Sequence, residues 1–248
     1  MTWLILLLVV FFLGPALMYL TGGARLRGDW RTASQAPTGL APDPVYVREA
    51  VVQVYAARAF AWRGAFSVHT WMAVKPTNAA QYTRYEVIGW RVYRGLSAVS
   101  VSSDRAPDAQ WFGASPWLLR DVRGPAAEAI IAALPDVVAA YPYTDRYRIW
   151  PGPNSNTFTA YLARHVPQFR LALPTNALGK DYIAHGWTLT RSPYGTGLQL
   201  SLSGMVGLLV GPHEGVELNL LALTIGLDPV GLAINLPGIG RIGKARRP

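Results

Sequence analysis

A histidine and a serine, far apart along the 248 residues, are the side chains best suited to chemistry. His69 lies in FSVHTWMAV, a segment typical of a β-strand, and Ser155 lies in NSNTF, where a helix is expected to begin. The helix dipole and free backbone N–H groups at such a position stabilise negative charge on a nucleophile and on a developing oxyanion. The pair therefore predicts a serine-dependent hydrolase or acyltransferase, with Ser155 as the nucleophile and His69 as the base.

Each of these residues also has a purely structural interpretation. Ser155 is suited to capping the helix, and His69 to a buried position where a backbone carbonyl accepts its hydrogen bond. Glu86, on the next predicted strand, either orients His69 as the third catalytic residue or forms an ion pair with Arg84 or Arg91.

Other polar and aromatic residues complete the expected site. Asn154 and Asn156 flank Ser155, and Trp71 lies two residues beyond His69, so these three are predicted to bind substrate. Charged residues further along are expected to lie at the surface, as a pair in LGKDY and as solvated strand-edge carboxylates; they are Lys180, Asp181, Glu214 and Glu217.

Several mechanistic classes are excluded or lack their motifs. The chain has no cysteine, which excludes disulfides, thiolate metal sites and cysteine nucleophiles. The four histidines do not have zinc-site spacing, and the sequence has no nucleophile elbow, phosphate loop or strand-linked dinucleotide motif. We therefore expect neither a metal nor a cofactor.

The formal charge of +9 is concentrated near the ends of the chain. Residues 32–240 carry 16 basic and 13 acidic side chains, so the body is close to neutral. Its aromatic residues do not alternate with a basic stripe, as a single-strand binder would require. Nucleic acid is therefore not an expected partner.

The N-terminus contains an apolar run of 18 residues, positions 3–20, which predicts a transmembrane anchor over residues 1–22. The competing interpretation is a cleaved signal peptide, with Gly22 and Ala24 at the cleavage site, but no Lys or Arg precedes the run. Membrane lipid is the expected partner of this helix and of a basic tail at 241–248. The apolar run therefore predicts a protein that crosses a membrane once.

The rest of the chain is expected to form one domain. Residues 23–44, rich in Gly and Pro, predict a tether, and residues 45–240 predict a single α+β domain. Within it, the segments 66–74 and 85–93 predict a β-hairpin, AAEAIIAA predicts a helix broken at Pro135, and the last third predicts a β-meander. The expected fold is an antiparallel sheet with packed helices.

The order of these motifs resembles the permuted papain-like proteins, which include NlpC-like and lecithin:retinol acyltransferase-like enzymes. In that family a strand histidine precedes a helix that begins N-C-x-x-F. Here His69, Asn154 and Phe158 match the pattern, and Ser155 replaces the cysteine. The resemblance implies a permuted papain-like core.

A longer resemblance covers most of the chain. The segments HTW (69–71), WPGPNSNTF (150–158), LGKDY (178–182), EGVELNLL (214–221) and LPGIGRIG (236–243) are similar to the bacterial DUF3750 family. That family has unknown function and an N-terminal membrane segment. The serine of NSNTF belongs to its pattern, which implies that Ser155 is not an isolated replacement in an active enzyme. The resemblance also implies a location in the bacterial inner membrane, crossed by one helix, with the domain on the periplasmic side, whereas the arginines that follow the apolar run favour the cytoplasmic side. The alternative to an enzyme is a non-catalytic envelope binding or scaffold module.

Overall fold

A computed structural model, which describes residues 2–24 and 27–244, shows a chain built mainly from two antiparallel β-sheets. The first sheet has five strands in the order β4-β3-β2-β1-β5. These strands are β1 (Val51–Arg58), β2 (Val68–Lys75), β3 (Thr83–Val87), β4 (Val99–Ser102) and β5 (Trp117–Arg123). Both β1 and β2 are rich in β-branched and aromatic residues and are buried on both faces, so they form the centre of the sheet.

Helices α3 (Gly124–Ala139) and α4 (Ser155–His165) cover one face of this sheet. The helices of the described residues are α1 (Thr2–Leu20), α2 (Gly89–Val92), α3 (Gly124–Ala139) and α4 (Ser155–His165), with 3₁₀ turns at Ala61–Ala65 and Pro167–Phe169. The predicted break at Pro135 is wrong, because α3 continues through it to Ala139. Pro135 lacks a backbone N–H, so α3 loses one hydrogen bond there. Burial of the neighbouring Ile130 and Leu134 stabilises the helix in spite of this loss.

The first sheet separates two apolar clusters. Side chains alternate across a strand, so even-numbered residues of β1 and β2 face α3 and α4, whereas several odd-numbered ones face the opposite side. The helix-side cluster includes Val52, Val54, Met72, Phe158 and Leu162. The opposite cluster includes Val51, Tyr55, Trp71, Tyr82 and Trp111.

The second sheet is a seven-stranded meander in which every strand pairs with its neighbours in sequence. Its strands are β6 (Trp187–Arg191), β7 (Leu198–Leu202), β8 (Val206–Gly211), β9 (Gly215–Leu220), β10 (Leu223–Asp228), β11 (Ala233–Leu236) and β12 (Gly240–Gly243). The predicted β-meander is therefore present. Unlike in the first sheet, most of its buried strand residues are polar and most of its exposed strand residues are apolar.

The C-terminal half of α1 packs against the turn between β11 and β12. A Cβ on Gly14 would lie 2.0 Å from the Pro237 carbonyl oxygen, so only glycine permits this approach. Phe12 meets the ring of Phe66 edge-on at 6.4 Å, and Phe11 is buried. This end of the apolar run is thus held against the protein.

Two expectations about the fold are corrected. Among the described residues, none of the helices has both the length and the apolar character needed to cross a bilayer. This finding corrects the anchor predicted over residues 1–22 and the single-pass inner-membrane location. The α+β class with a permuted papain-like core is also wrong, because two antiparallel sheets dominate and helices are few. The basic tail beyond residue 244 lies outside the described residues.

Candidate functional site

The N-terminus of α4 is capped by Asn154, not by Ser155. The Asn154 side-chain oxygen accepts hydrogen bonds from the backbone N–H groups of Asn156 (2.9 Å) and Thr157 (3.2 Å), and Thr157 Oγ1 accepts one from the Asn154 backbone N–H (3.0 Å). This is a capping box with asparagine and threonine in the two reciprocal positions. Ser155 occupies the first helical position and is 3% exposed, and its hydroxyl makes no hydrogen bond to any described residue.

Asn154 and Asn156 connect the start of α4 to strand β2 and to the loop that follows α4. The side-chain amides of both residues donate to the Leu178 carbonyl, at 3.0 and 2.8 Å. Asn156 also donates to the Val68 carbonyl at 2.9 Å, and its side-chain oxygen accepts from the Thr70 hydroxyl at 2.9 Å. The two residues predicted to bind substrate thus use their polar groups within the protein.

His69 faces away from α4. Its neighbour Thr70 contacts α4 through Asn156 and Thr159, and adjacent strand residues point to opposite faces. The His69 ring instead stacks on Trp71 and Trp111, in the cluster on the other side of the sheet. The structure therefore does not bring His69 and Ser155 together, and no hydrogen bond joins them within the described chain.

His69 and Glu86 do lie together, within a buried charge cluster. Glu86 Oε2 lies 3.3 Å from His69 Nε2 and 2.8 Å from Arg84 Nη2, and Glu86 Oε1 lies 3.4 Å from Arg105 Nη1. The alternative ion pair between Glu86 and Arg84 thus coexists with the His69 contact. Arg105 was not predicted as part of the site, because it lies 19 positions after Glu86 in a loop without a recognisable motif.

Burial and charge fix the protonation of this cluster. Burial would raise the pKa of Glu86, but the hydrogen bond from His69 and the charge of Arg84 lower it to about 2. Burial lowers the pKa of His69, outweighing the opposing effect of Glu86. At neutral pH His69 is therefore neutral, with its Nε2–H donating to the Glu86 carboxylate. Two guanidinium groups and one carboxylate leave the cluster with an excess positive charge.

Aromatic rings connect this cluster to the surface. We call the sequence of stacked rings the ring column: Tyr55, Trp71, His69, Trp111 and Trp90. The successive centroids are 5.6, 5.8, 3.5 and 6.0 Å apart. The column begins in the core and ends at Trp90, which is 42% exposed.

Trp71 was also predicted to bind substrate, and it is fully buried within the column. Its Nε1–H donates to the Pro107 carbonyl at 2.7 Å, and Arg84 lies 4.5 Å above its ring. Trp71 is therefore surrounded by protein groups, and its contacts with Tyr55 and His69 form the buried part of the ring column.

Two further aromatic side chains surround the exposed end of the column. Phe112 lies 5.7 Å from Trp90 and 5.3 Å from Phe60, and both phenylalanines are half-buried. We call Trp90, Phe112 and Phe60 the aromatic face. Arg105 lies beside the ring column, with its guanidinium 5.5 Å from the centroid of the Trp111 ring.

A separate open cleft of about 400 Å³ also has Arg105 in its lining. Its lining includes Pro42, Asp43, Tyr82, Asp104, Arg105 and Asp108. Asp108 accepts backbone hydrogen bonds from Leu40 (2.6 Å) and Ala41 (3.2 Å), so its carboxylate holds the segment before β1 against the first sheet.

A second buried charge cluster lies between α4 and the second sheet. Lys180 Nζ lies 2.9 Å from Asp181 Oδ1 and 2.6 Å from Glu217 Oε2. Burial would lower the pKa of Lys180, but the two carboxylates raise it. Gln199 bridges Asp181 to Arg164, which donates to the Gln199 side-chain oxygen at 2.6 Å.

Four charged residues that were expected at the surface are buried instead. Lys180, Asp181, Glu214 and Glu217 are each 5% exposed or less. Alternation in β9 correctly separates its polar and apolar residues, but it does not reveal which side faces the protein. Within the described chain, no group of three or more His, Asp or Glu residues could hold a metal ion.

The fold and this site define a two-sheet β-rich domain whose first sheet carries a buried His–Glu–Arg cluster under stacked rings. A family model described as "Protein of unknown function (DUF3750)" matches residues 49–182. Because the match covers more than half of the 248 residues, the chain belongs to the DUF3750 family. The match spans the first sheet, α3 and α4, and ends before β6. No curated protein and no solved structure matches the chain.

Proposed function

We propose that the protein is a non-catalytic binding module whose aromatic face holds an acidic sugar. The observation that carries this proposal is the ring column, which ends in the exposed indole of Trp90. A rigid exposed indole gives a ligand contact area at small entropic cost, because packing has already fixed its conformation. The apolar face of a sugar ring is a suitable partner for such a surface.

The charges around the aromatic face favour an acidic ligand. Arg91 and Arg94 both follow Trp90 in the GWRVYRG segment, which has no acidic residue. Arg105 adds a third guanidinium, and Glu86 is already paired with His69, Arg84 and Arg105. Guanidinium groups bind carboxylates with charge-assisted hydrogen bonds. The neighbouring cleft is less suitable, because it is lined by aspartates.

The test is titration of the purified full chain with trigalacturonate, an acidic sugar, and with maltotriose, a neutral one. We expect trigalacturonate to bind and maltotriose to bind at least tenfold more weakly. Trp90→Ala should weaken trigalacturonate binding at least tenfold, whereas Trp117→Ala, an exposed tryptophan on the far edge strand β5, should not change it. Arg94→Gln should weaken it severalfold, most strongly at low salt.

Three results would contradict the proposal. These are a wild-type chain that does not bind trigalacturonate at millimolar concentration, equal affinity for the two sugars, and a Trp90→Ala variant with unchanged affinity. Near-ultraviolet circular dichroism of each variant provides the folding control.

A serine-dependent hydrolase or acyltransferase is the second candidate, favoured by Ser155 at the first position of α4 with an unbonded hydroxyl among the described contacts. This activity would need a base other than His69, which faces the opposite side of the sheet. Labelling by a fluorophosphonate probe that Ser155→Ala abolishes and His69→Gln leaves intact would support it. A folded wild-type protein that the probe does not label would exclude it.

A further inference from the structure

The second sheet presents a broad apolar surface that the site described above does not use. We call it the outer face; its exposed members are Trp187, Leu189, Leu198, Leu200, Val206, Leu208, Val210, Val216, Leu218, Leu227, Ile234 and Ile242. Each of these residues is between 36% and 68% exposed. They come from all seven strands, so the surface is continuous across the sheet.

The alternation that produces this face is regular. The residues between the outer-face positions point inward and are mostly polar and buried, as Gln199, Ser201, Glu217, Asn219 and Asp228 illustrate. An antiparallel sheet with one solvated face normally places apolar residues inward and polar ones outward. Because the reverse arrangement extends over seven strands, the outer face is suited to contact with something other than water.

The area is sufficient for a protein interface. Monomeric proteins rarely expose apolar patches larger than a few hundred Å². The outer face presents roughly 1,000 Å², and a stable interface needs about 800 Å² from each partner. A second copy of this chain would supply a surface of the same size and chemistry.

The distribution of charge favours a second copy over an anionic lipid surface. Arg191 is the one charged residue that the described strands place on the outer side, and it lies at the end of the edge strand β6. Arg241, which lies near the opposite edge, is held by Asp228 at 2.8 Å. A face that docked on anionic lipid would need a basic rim, whereas the centre of a protein interface is depleted of charge.

We infer that two copies of the chain pair outer face to outer face. Antiparallel sheets pack about 10 Å apart with their strands within about 30° of alignment, so the pairing would form a sandwich of two seven-stranded layers. The pairing is isologous, because each copy contributes the same residues. Trp187 and Arg191, both on β6, would form part of the rim.

The absence of cysteine from the chain allows a direct test by cross-linking. Single variants Leu208→Cys and Val216→Cys place a thiol near the centre of the outer face, on the paired strands β8 and β9. Val101→Cys is the matched control, because Val101 is a comparably exposed strand residue of the first sheet. A short bis-maleimide reagent should convert the two outer-face variants to covalent dimers and leave the control monomeric.

Light scattering of the full chain provides the independent measurement. The wild type should have twice the 27.0 kDa chain mass, and Leu218→Glu should have the monomer mass. Val101→Glu should remain dimeric. If Leu218→Glu does not fold, Val210→Asn serves instead at the same face.

The inference is overturned by a monomeric wild type at 50 μM or by cross-linking of the Val101→Cys control as fast as that of Leu208→Cys. A monomeric wild type that floats with vesicles of anionic phospholipid would identify lipid as the occupant instead. None of these outcomes depends on sugar binding at Trp90.

Discussion

The two sheets of this protein place polar and apolar residues in opposite ways. In the first sheet both faces of the central strands are buried, and its charge cluster of His69, Glu86 and Arg84 lies within an aromatic cluster. In the second sheet the acidic residues Glu217 and Asp228 are buried, and most of the aliphatic strand residues face outward. Antiparallel pairing is therefore compatible with both distributions of polar residues. Backbone hydrogen bonds set the spacing of the strands, but they do not determine which side chains lie on each face.

The difference also concerns how each charge cluster is connected to solvent. Arg105 has a partly exposed side chain, and the ring column leads from His69 to the exposed Trp90. Lys180 and Asp181, by contrast, are buried between α4 and the second sheet. The first cluster is therefore suited to contact with a ligand, and the second to joining the two halves of the fold.

The largest expected effect concerns the cluster between α4 and the second sheet. Lys180→Met should lower the free energy of unfolding by about 3–5 kcal/mol, because it leaves the carboxylates of Asp181 and Glu217 buried without their cation. The measurement is urea unfolding followed by tryptophan fluorescence. Arg146→Met, which removes an exposed ion pair with Asp145, is the control and should change stability by less than about 1 kcal/mol. Equal effects of the two variants would contradict the role of the buried Lys180 cluster in stability.

Acid should destabilise the first sheet through Glu86. Its pKa is about 2 in the folded chain against 4.5 otherwise, so its stabilisation is complete above pH 4.5 and is lost as the pH falls towards 2. That difference corresponds to about 3 kcal/mol. His69 acts in the same direction from a higher pH: its folded pKa is lowered below 6.5, so below pH 6.5 the unfolded chain binds the extra proton.

Unfolding midpoints measured at pH 7, 5 and 3 test this dependence. Glu86→Gln should flatten the decline between pH 5 and pH 3, whereas Asp145→Asn, at an exposed position, should leave the decline unchanged. A Glu86→Gln chain that loses stability between these pH values as steeply as the wild type would contradict the assignment.

The smallest effect is expected at the N-terminus of α4. Asn154→Ala should cost about 1–2 kcal/mol of stability, because it removes the helix cap and two donated hydrogen bonds. Ser155→Ala should cost less than about 0.5 kcal/mol, because the Ser155 hydroxyl does not cap the helix. Thermal unfolding of the two variants distinguishes them, and a larger loss for Ser155→Ala would contradict the capping assignment.

Local signals determined much of the secondary structure. Proline and asparagine before an apolar helical pattern located the start of α4, and the segments 66–74 and 85–93 indicated the pairing of β2 with β3. The strand predicted over 85–93 is wrong in its second half, because β3 ends at Val87 and Gly89–Val92 form the short helix α2 that carries Trp90. The residues of HTW, WPGPNSNTF and LGKDY also identified the DUF3750 family correctly. These features follow from short-range rules of capping, turn formation and strand propensity, which depend on a few neighbouring residues.

The sequence could not determine which side of each strand faces the protein. His69 and Thr70 are adjacent, and a shift of one residue decides which of them meets α4. The tertiary structure places Thr70 there, so His69 joins Glu86 and the ring column instead of Ser155. In the second sheet the same ambiguity hid the burial of Lys180 and Glu217, because alternation separates two faces but only packing decides which one is inside.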